Sequence, residues 1–115
     1  MRTKRTGDPE GVMATLQVAR RLLSERGDKG VYPVLDSALD MSSPKDRARA
    51  WWAAHRAVID SLPAGCKTVA DFTWMPSTTN EDVLAVFDRA ILLQGQKNAL
   101  QAKGKQPKMK KGVQP

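Results

Sequence analysis

Apolar residues return every three to four positions in three separate stretches of the chain, the spacing of one buried helix face. In the first stretch Val12, Leu16, Ala19 and Leu23 form the stripe, Met13 and Leu22 widen it, and Arg20, Arg21, Glu25 and Arg26 fall on the solvent side. Asp8-Pro9-Glu10 marks the start. An aspartate can cap, a proline suits the first helical position, and an acid complements the positive end of the helix dipole. Gly27 supplies a stop. Gly27 to Pro33 then read as a turn, and Val34, Leu35, Ala38, Leu39 and Met41 as a short helix.

A second start is written in Ser43-Pro44-Lys45-Asp46: a capping serine, a proline at the first helical position, and an acid three residues after the cap. The helix predicted from it runs to Pro63-Ala64-Gly65 and is the longest of the chain. Placed at about 100° per residue, it has three faces. Ala48, Trp51, His55, Val58, Ile59 and Leu62 form the expected main apolar stripe, and Ala50, Ala53, Ala54 and Ala57 form a nearly opposite strip of small residues. Lys45, Arg49 and Arg56 lie between, with Trp52 on the border. Two buriable faces predict a central helix.

The segment Cys66 to Pro76 is too short and interrupted for a long helix, and Val69, Phe72, Trp74 and Met75 predict an irregular strip anchored in the core. Beyond it, Thr78 with Glu81, or Thr79 with Asp82, fits a capping box. Val83, Leu84, Phe87, Ala90 and Ile91 carry the last helix to Gly95. The expected fold is therefore all-α: a compact bundle of three main helices plus one short helix, with an irregular segment before the last helix and disordered basic ends. The domain plan is a basic arm over 1–7, a helical domain over 8–95, and a lysine-rich tail over 96–115. That tail has no acid and no aromatic, so it cannot bury enough surface to offset its ordering entropy.

Charge follows the same division. The net +7 of the 115 residues would ordinarily suggest a nucleic-acid-binding face. Residues 6–88 nevertheless hold nine bases against twelve acids, while Arg2, Lys4, Arg5, Arg89 and six tail lysines supply the excess. The body is slightly acidic, and the positive charge sits in the ends. The lone Cys66 excludes an internal disulfide and fits a reducing cytoplasm. The amino-terminal residues lack the apolar segment of a secretory signal, and no run approaches the length of a membrane span.

Catalytic candidates are few. His55 is the single histidine, and no carboxylate lies at helical reach to orient it, so it reads as a histidine at a core edge. Cys66, between Gly65 and Lys67, has no Cys-His signature around it. Glu81 and Asp82 point in different directions on a helix and are explained by capping. No glycine-rich phosphate loop, GxSxG or HExxH motif is present. A non-enzymatic protein without metal or cofactor is expected.

Two binding features remain. Lys45, Arg49, Trp52 and Arg56 place an amphipathic indole among three cations, a composition suited to a protein hot spot. Lys103, Lys105, Lys108, Lys110 and Lys111 could instead contact phosphates without reading bases, since no aromatic accompanies them. The stretch Trp74 to Ile91, WMPSTTNEDVLAVFDRAI, resembles the carboxy-terminal motif of a family of small uncharacterised domains found in actinobacteria and their phages. The likeness extends over about residues 12–92, although Met75-Pro76 stands where that family has Asn-Asp. It implies an accessory protein of actinobacterial or phage origin and brings no activity with it. The functional expectation is an interaction protein binding a macromolecule, first a protein such as a host protein, through its helical domain. The alternative is non-specific nucleic-acid binding through the tail. No membrane partner is expected.

Overall fold

A computed structural model describes residues 9–113, and the side chains of residues 10–100. Five helices follow one another: α1 (Pro9–Arg26), α2 (Val31–Ser42), α3 (Arg47–Asp60), α4 (Val69–Thr73) and α5 (Asn80–Val113). No strand occurs among the described residues. The fold is all-α, with three longer helices, the shorter α2 and a single turn of helix in α4.

The hub of the bundle is α1, which packs against α2, α3 and α5. The third helix also meets three others, α1, α2 and α5, as its predicted central place requires. Leu16, Ala19 and Leu23 of α1 are fully buried against Val34, Leu35 and Ala38 of α2, Ala54 of α3, and Phe87 and Ala90 of α5. Gly27 ends α1 at φ 72° and donates its N–H to the Leu23 carbonyl at 3.0 Å, the left-handed close that glycine makes without a Cβ penalty. Asn80 reinforces this end from α5: its Nδ2 donates to the carbonyls of Leu23 at 3.1 Å and Asp28 at 2.7 Å.

Several boundaries differ from expectation for identifiable reasons. Helix α2 begins at Val31, inside the stretch read as a turn. Pro33 sits in its first turn, where the absent N–H is one the helix could not have paired anyway. Ser43 does not start the next helix; it closes α2 at φ 45°, with its N–H donating to the Leu39 carbonyl at 2.9 Å. Asp46 caps α3 instead, its Oδ1 accepting from the Arg49 N–H at 3.1 Å. At 14 residues α3 is shorter than α1 or α5.

The segment expected to be irregular contains α4, opened by a reciprocal box between Thr68 and Asp71. Val69 and Phe72 are buried as anchors, whereas Trp74 and Met75 lie exposed. At the start of α5 the competing boxes resolve to Thr79 with Asp82, which exchange hydrogen bonds of 2.9 and 3.2 Å. Gly95 does not stop this helix. A glycine inside a helix costs only about 1 kcal/mol relative to alanine, and the buried Gln94 donates across the next turn to Asn98 at 2.9 Å. Position 95 is thus no element boundary. Residues 1–7 lie outside the described residues, as do the side chains of Lys103, Lys105, Lys108, Lys110 and Lys111.

The largest correction concerns which side of α3 faces inward. Ala50, Ala54, Ala57 and Val58 are buried, while Ala48 is exposed and Trp51, His55 and Ile59 are only half-buried. Ala50, Ala54 and Ala57 of the small-residue strip meet the bundle directly, because alanines let α3 approach α1 and α5 closely, while of the predicted main stripe Val58 is buried and Trp51, Ile59 and Leu62 pack half-buried against the edge of the core. Ala54→Leu is accordingly expected to destabilise the fold by about 1–3 kcal/mol through overpacking, whereas Ala48→Leu should change stability by less than about 0.5 kcal/mol. Urea denaturation of the two variants distinguishes them, and equal stabilities would contradict this orientation.

Buried hydroxyls are otherwise satisfied: Thr15 Oγ1 donates to the Gly11 carbonyl at 2.8 Å, and Ser61 Oγ to that of Ala57 at 2.8 Å. Thr78 Oγ1, at the turn before α5, is buried without a hydrogen-bond partner among the described residues. Thr78→Val keeps the shape and removes the orphaned group, so it should stabilise the protein by about 1 kcal/mol. A lower denaturation midpoint for this variant would contradict that account.

Candidate functional site

With its alanines inward, α3 presents its large rings to solvent in the groove it forms with α2. Trp51 lies half-buried across this groove and donates its Nε1–H to Asp36 Oδ1 on α2 at 3.0 Å. Tyr32, one helical turn before Asp36, stacks on Trp51 with ring centres 6.0 Å apart and planes at 14°. His55 completes the triangle, 4.9 Å from Trp51 and 5.5 Å from Tyr32, and its Nε2 is 3.3 Å from the Tyr32 hydroxyl. Trp52 stands edge-on to Trp51 at 5.0 Å and 82°. It is 64% exposed, and its indole N–H has no hydrogen-bond partner among the described residues.

The apolar pattern does not single out Tyr32, because Gly27 to Pro33 reads as a turn. The signal was present: with Pro33 allowed in a first turn, Tyr32, Asp36 and Asp40 fall four residues apart and share one face of α2.

The predicted cationic patch has a different electrostatic character from the one its sequence suggests. Arg49 and Arg56 flank Trp52 on α3, and both are exposed, but each meets a carboxylate of its own helix start or turn. Arg49 Nε lies 3.2 Å from Asp46 Oδ2 and Arg56 Nε 3.3 Å from Asp60 Oδ1. Arg47 reaches across the groove to Asp40 at 2.7 Å. Lys45 is exposed in the connection before Asp46. Hydrogen bonds from the Arg49 backbone N–H and guanidinium hold the Asp46 carboxyl below its ordinary value. The arginines therefore form a rim of internal ion pairs around the rings. Beside the two indoles the groove encloses about 470 Å³, lined by Asp36, Leu39, Arg47, Ala48, Trp51 and Trp52.

A second depression of about 310 Å³ lies where α4 turns into α5, between Phe72, Met75, Val86 and Arg89. Trp74 beside it is 81% exposed. Cys66 is half-buried at the edge of the core. Among the described residues, no group of three or more His, Cys, Asp or Glu side chains could hold a metal ion, and no helix is long and apolar enough to cross a membrane.

Among the described residues His55 has no carboxylate partner; its polar neighbour is the Tyr32 hydroxyl. Partial burial pushes its imidazole below the ordinary value of 6.5. On acidification the unfolded chain takes up this proton before the folded one. Stability should thus be level above about pH 6.5 and decline as the pH falls from there toward the folded value. The carboxylates with lowered pKa, Asp28 and Asp46, already lie below 3.8 when folded, outside that window. Denaturation between pH 7.5 and 5 should show the decline in wild type and a smaller one in His55→Phe; identical profiles would contradict it.

Compared with protein-family models, with curated proteins and with solved structures, the chain shows no match.

Proposed function

We propose that the chain is a non-enzymatic interaction protein that docks a protein partner on the face formed by Tyr32, Trp51, Trp52 and His55. The observation that carries this reading is the 64% exposure of Trp52 on a helix whose other side is locked into the core. An indole held edge-on against Trp51 and His55 loses little freedom on binding, and tryptophan, tyrosine and arginine are the residues that dominate hot spots. The ion pairs of Arg47, Arg49 and Arg56 suit a polar rim around an aromatic centre. They also disfavour phosphate binding by this face, since a phosphate would have to compete with carboxylates already in place. A reducing cytoplasm is the compartment we infer from the lone cysteine, Cys66.

A photoreactive phenylalanine analogue placed at position 52, and in a second protein at the exposed Glu25 of α1, tests the proposal in the native cell. The expected result is a discrete protein adduct from position 52 alone, insensitive to nuclease. Adducts consisting only of nucleic acid, or the same adducts from both positions, would overturn it and favour binding through the lysine tail.

A further inference from the structure

Four carboxylates surround the aromatic face, and they are not equivalent. Asp40 is paired with Arg47, Asp46 with Arg49 and Asp60 with Arg56. Asp36 has no cation among the described residues. Its Oδ1 accepts from the Trp51 indole, and its Oδ2 accepts no hydrogen bond there. Asp36 lines the 470 Å³ groove together with Trp51 and Trp52, whose planes stand at 82°. The groove thus combines an indole corner, rich in π density, with one uncompensated negative charge. Its single basic lining residue, Arg47, is neutralised by Asp40 at 2.7 Å.

We infer that the groove between α2 and α3 receives an arginine side chain of the protein partner, its guanidinium lying against the Trp51–Trp52 corner and donating to Asp36. This rests on the protein-docking reading above and supplies the chemistry of the partner's anchor. Charge complementarity selects the cation, and the rings select its type. A guanidinium is planar and weakly hydrated, so it stacks on an indole while its edge N–H groups reach a carboxylate; an ammonium is a compact, strongly hydrated charge that does these two things less well. The body as a whole does not oppose a cation, since residues 6–88 carry twelve acids against nine bases. The Trp51 N–H has a second role in this arrangement: by holding Oδ1, it fixes the Asp36 carboxylate with its other oxygen available.

Titrating the full chain with a capped tetra-arginine peptide, while following the three indole N–H resonances by NMR, tests the assignment. The Trp51 and Trp52 signals should move saturably and the Trp74 signal should not. A tetra-citrulline peptide, of the same shape but neutral, should bind at least about fivefold more weakly, and tetra-lysine should fall between them. Asp36→Asn should weaken the arginine peptide at least about fivefold with an unchanged spectrum elsewhere; Asp40→Asn should not weaken it. Equal binding of citrulline and arginine peptides, shifts confined to Trp74, no saturable shift at all, or indifference to Asp36→Asn would each overturn the inference. If partner cross-linking at position 52 persists in such a case, the docking face stands and only its arginine anchor is lost.

Discussion

Trp52→Ala is expected to weaken partner binding by about 30-fold or more, near 2 kcal/mol, while changing folding stability by less than about 0.5 kcal/mol. The two effects separate because Trp52 gives most of its surface to solvent and its main internal neighbour is the edge of Trp51. Removing it leaves the alanine strip of α3 and the bundle contacts unaltered. Competition provides the measurement: purified wild-type protein should suppress the adduct formed at position 52, and the Trp52→Ala protein should need at least about 30-fold more to do so. Equal competition would remove Trp52 from the binding face. A large fall in the denaturation midpoint would show instead that the indole is part of the core.

Phe87→Ala is expected to cost about 3–5 kcal/mol of stability. Phe87 is the largest fully buried side chain and lies on the α5 face directed at α1, between Val83 and Ala90, which are also buried. Its truncation leaves a cavity at the contact that joins the two longest helices, and neighbours such as Leu16 and Leu23 are held in place from α2 as well. A domain of this size holds about 5–15 kcal/mol in total, so the variant should be close to half-unfolded in mild denaturant. Urea denaturation checks this. A loss under about 1 kcal/mol would mean that α5 packs on the body far more loosely than its buried face indicates.

Apolar periodicity makes α1 and the part of α5 up to Gly95 legible, but not its continuation to Val113; Gly27 is legible as a stop, and Thr79-Asp82 as one of two possible caps. Three things were harder, each for a physical reason. Ser43 and Asp46 both suit a helix start, and only the left-handed backbone at Ser43 assigns the first to an ending and the second to a beginning. On α3, hydrophobicity ranks indoles above alanines, but close helix approach rewards small size. The face that packs is the one whose side chains fit, so Ala50, Ala54 and Ala57 displaced Trp51 and His55 from the interior. Trp74 shows the same lesson in a turn: apolar character alone predicted an anchor, and backbone geometry left it 81% exposed.

The proposed docking face was half visible. Arg49, Trp52 and Arg56 share one side of α3, as their spacing requires. The Arg49–Asp46 and Arg56–Asp60 pairs lie at i,i+3 and i,i+4 and are legible from helical spacing, whereas the Arg47–Asp40 pair and the Trp51–Asp36 bond cross between helices and are not. A patch that reads as cationic in one dimension is internally neutralised in three, and Tyr32 joins it from α2. The exposed chemistry shifts from charge to aromatic surface, with Asp36 as its unpaired ion.

The central claim is that α3 turns Ala50, Ala54 and Ala57 inward and Trp52 outward, with Trp51 half-buried between them. Paramagnetic broadening by a soluble, neutral gadolinium chelate measures this directly. In a Trp74→Phe background, the Trp52 indole resonance should broaden strongly and the Trp51 indole weakly, while the methyl signals of Ala50, Ala54 and Ala57 remain sharp. Broadened alanine methyls beside a protected Trp52 would contradict the orientation of α3, and with it the docking face.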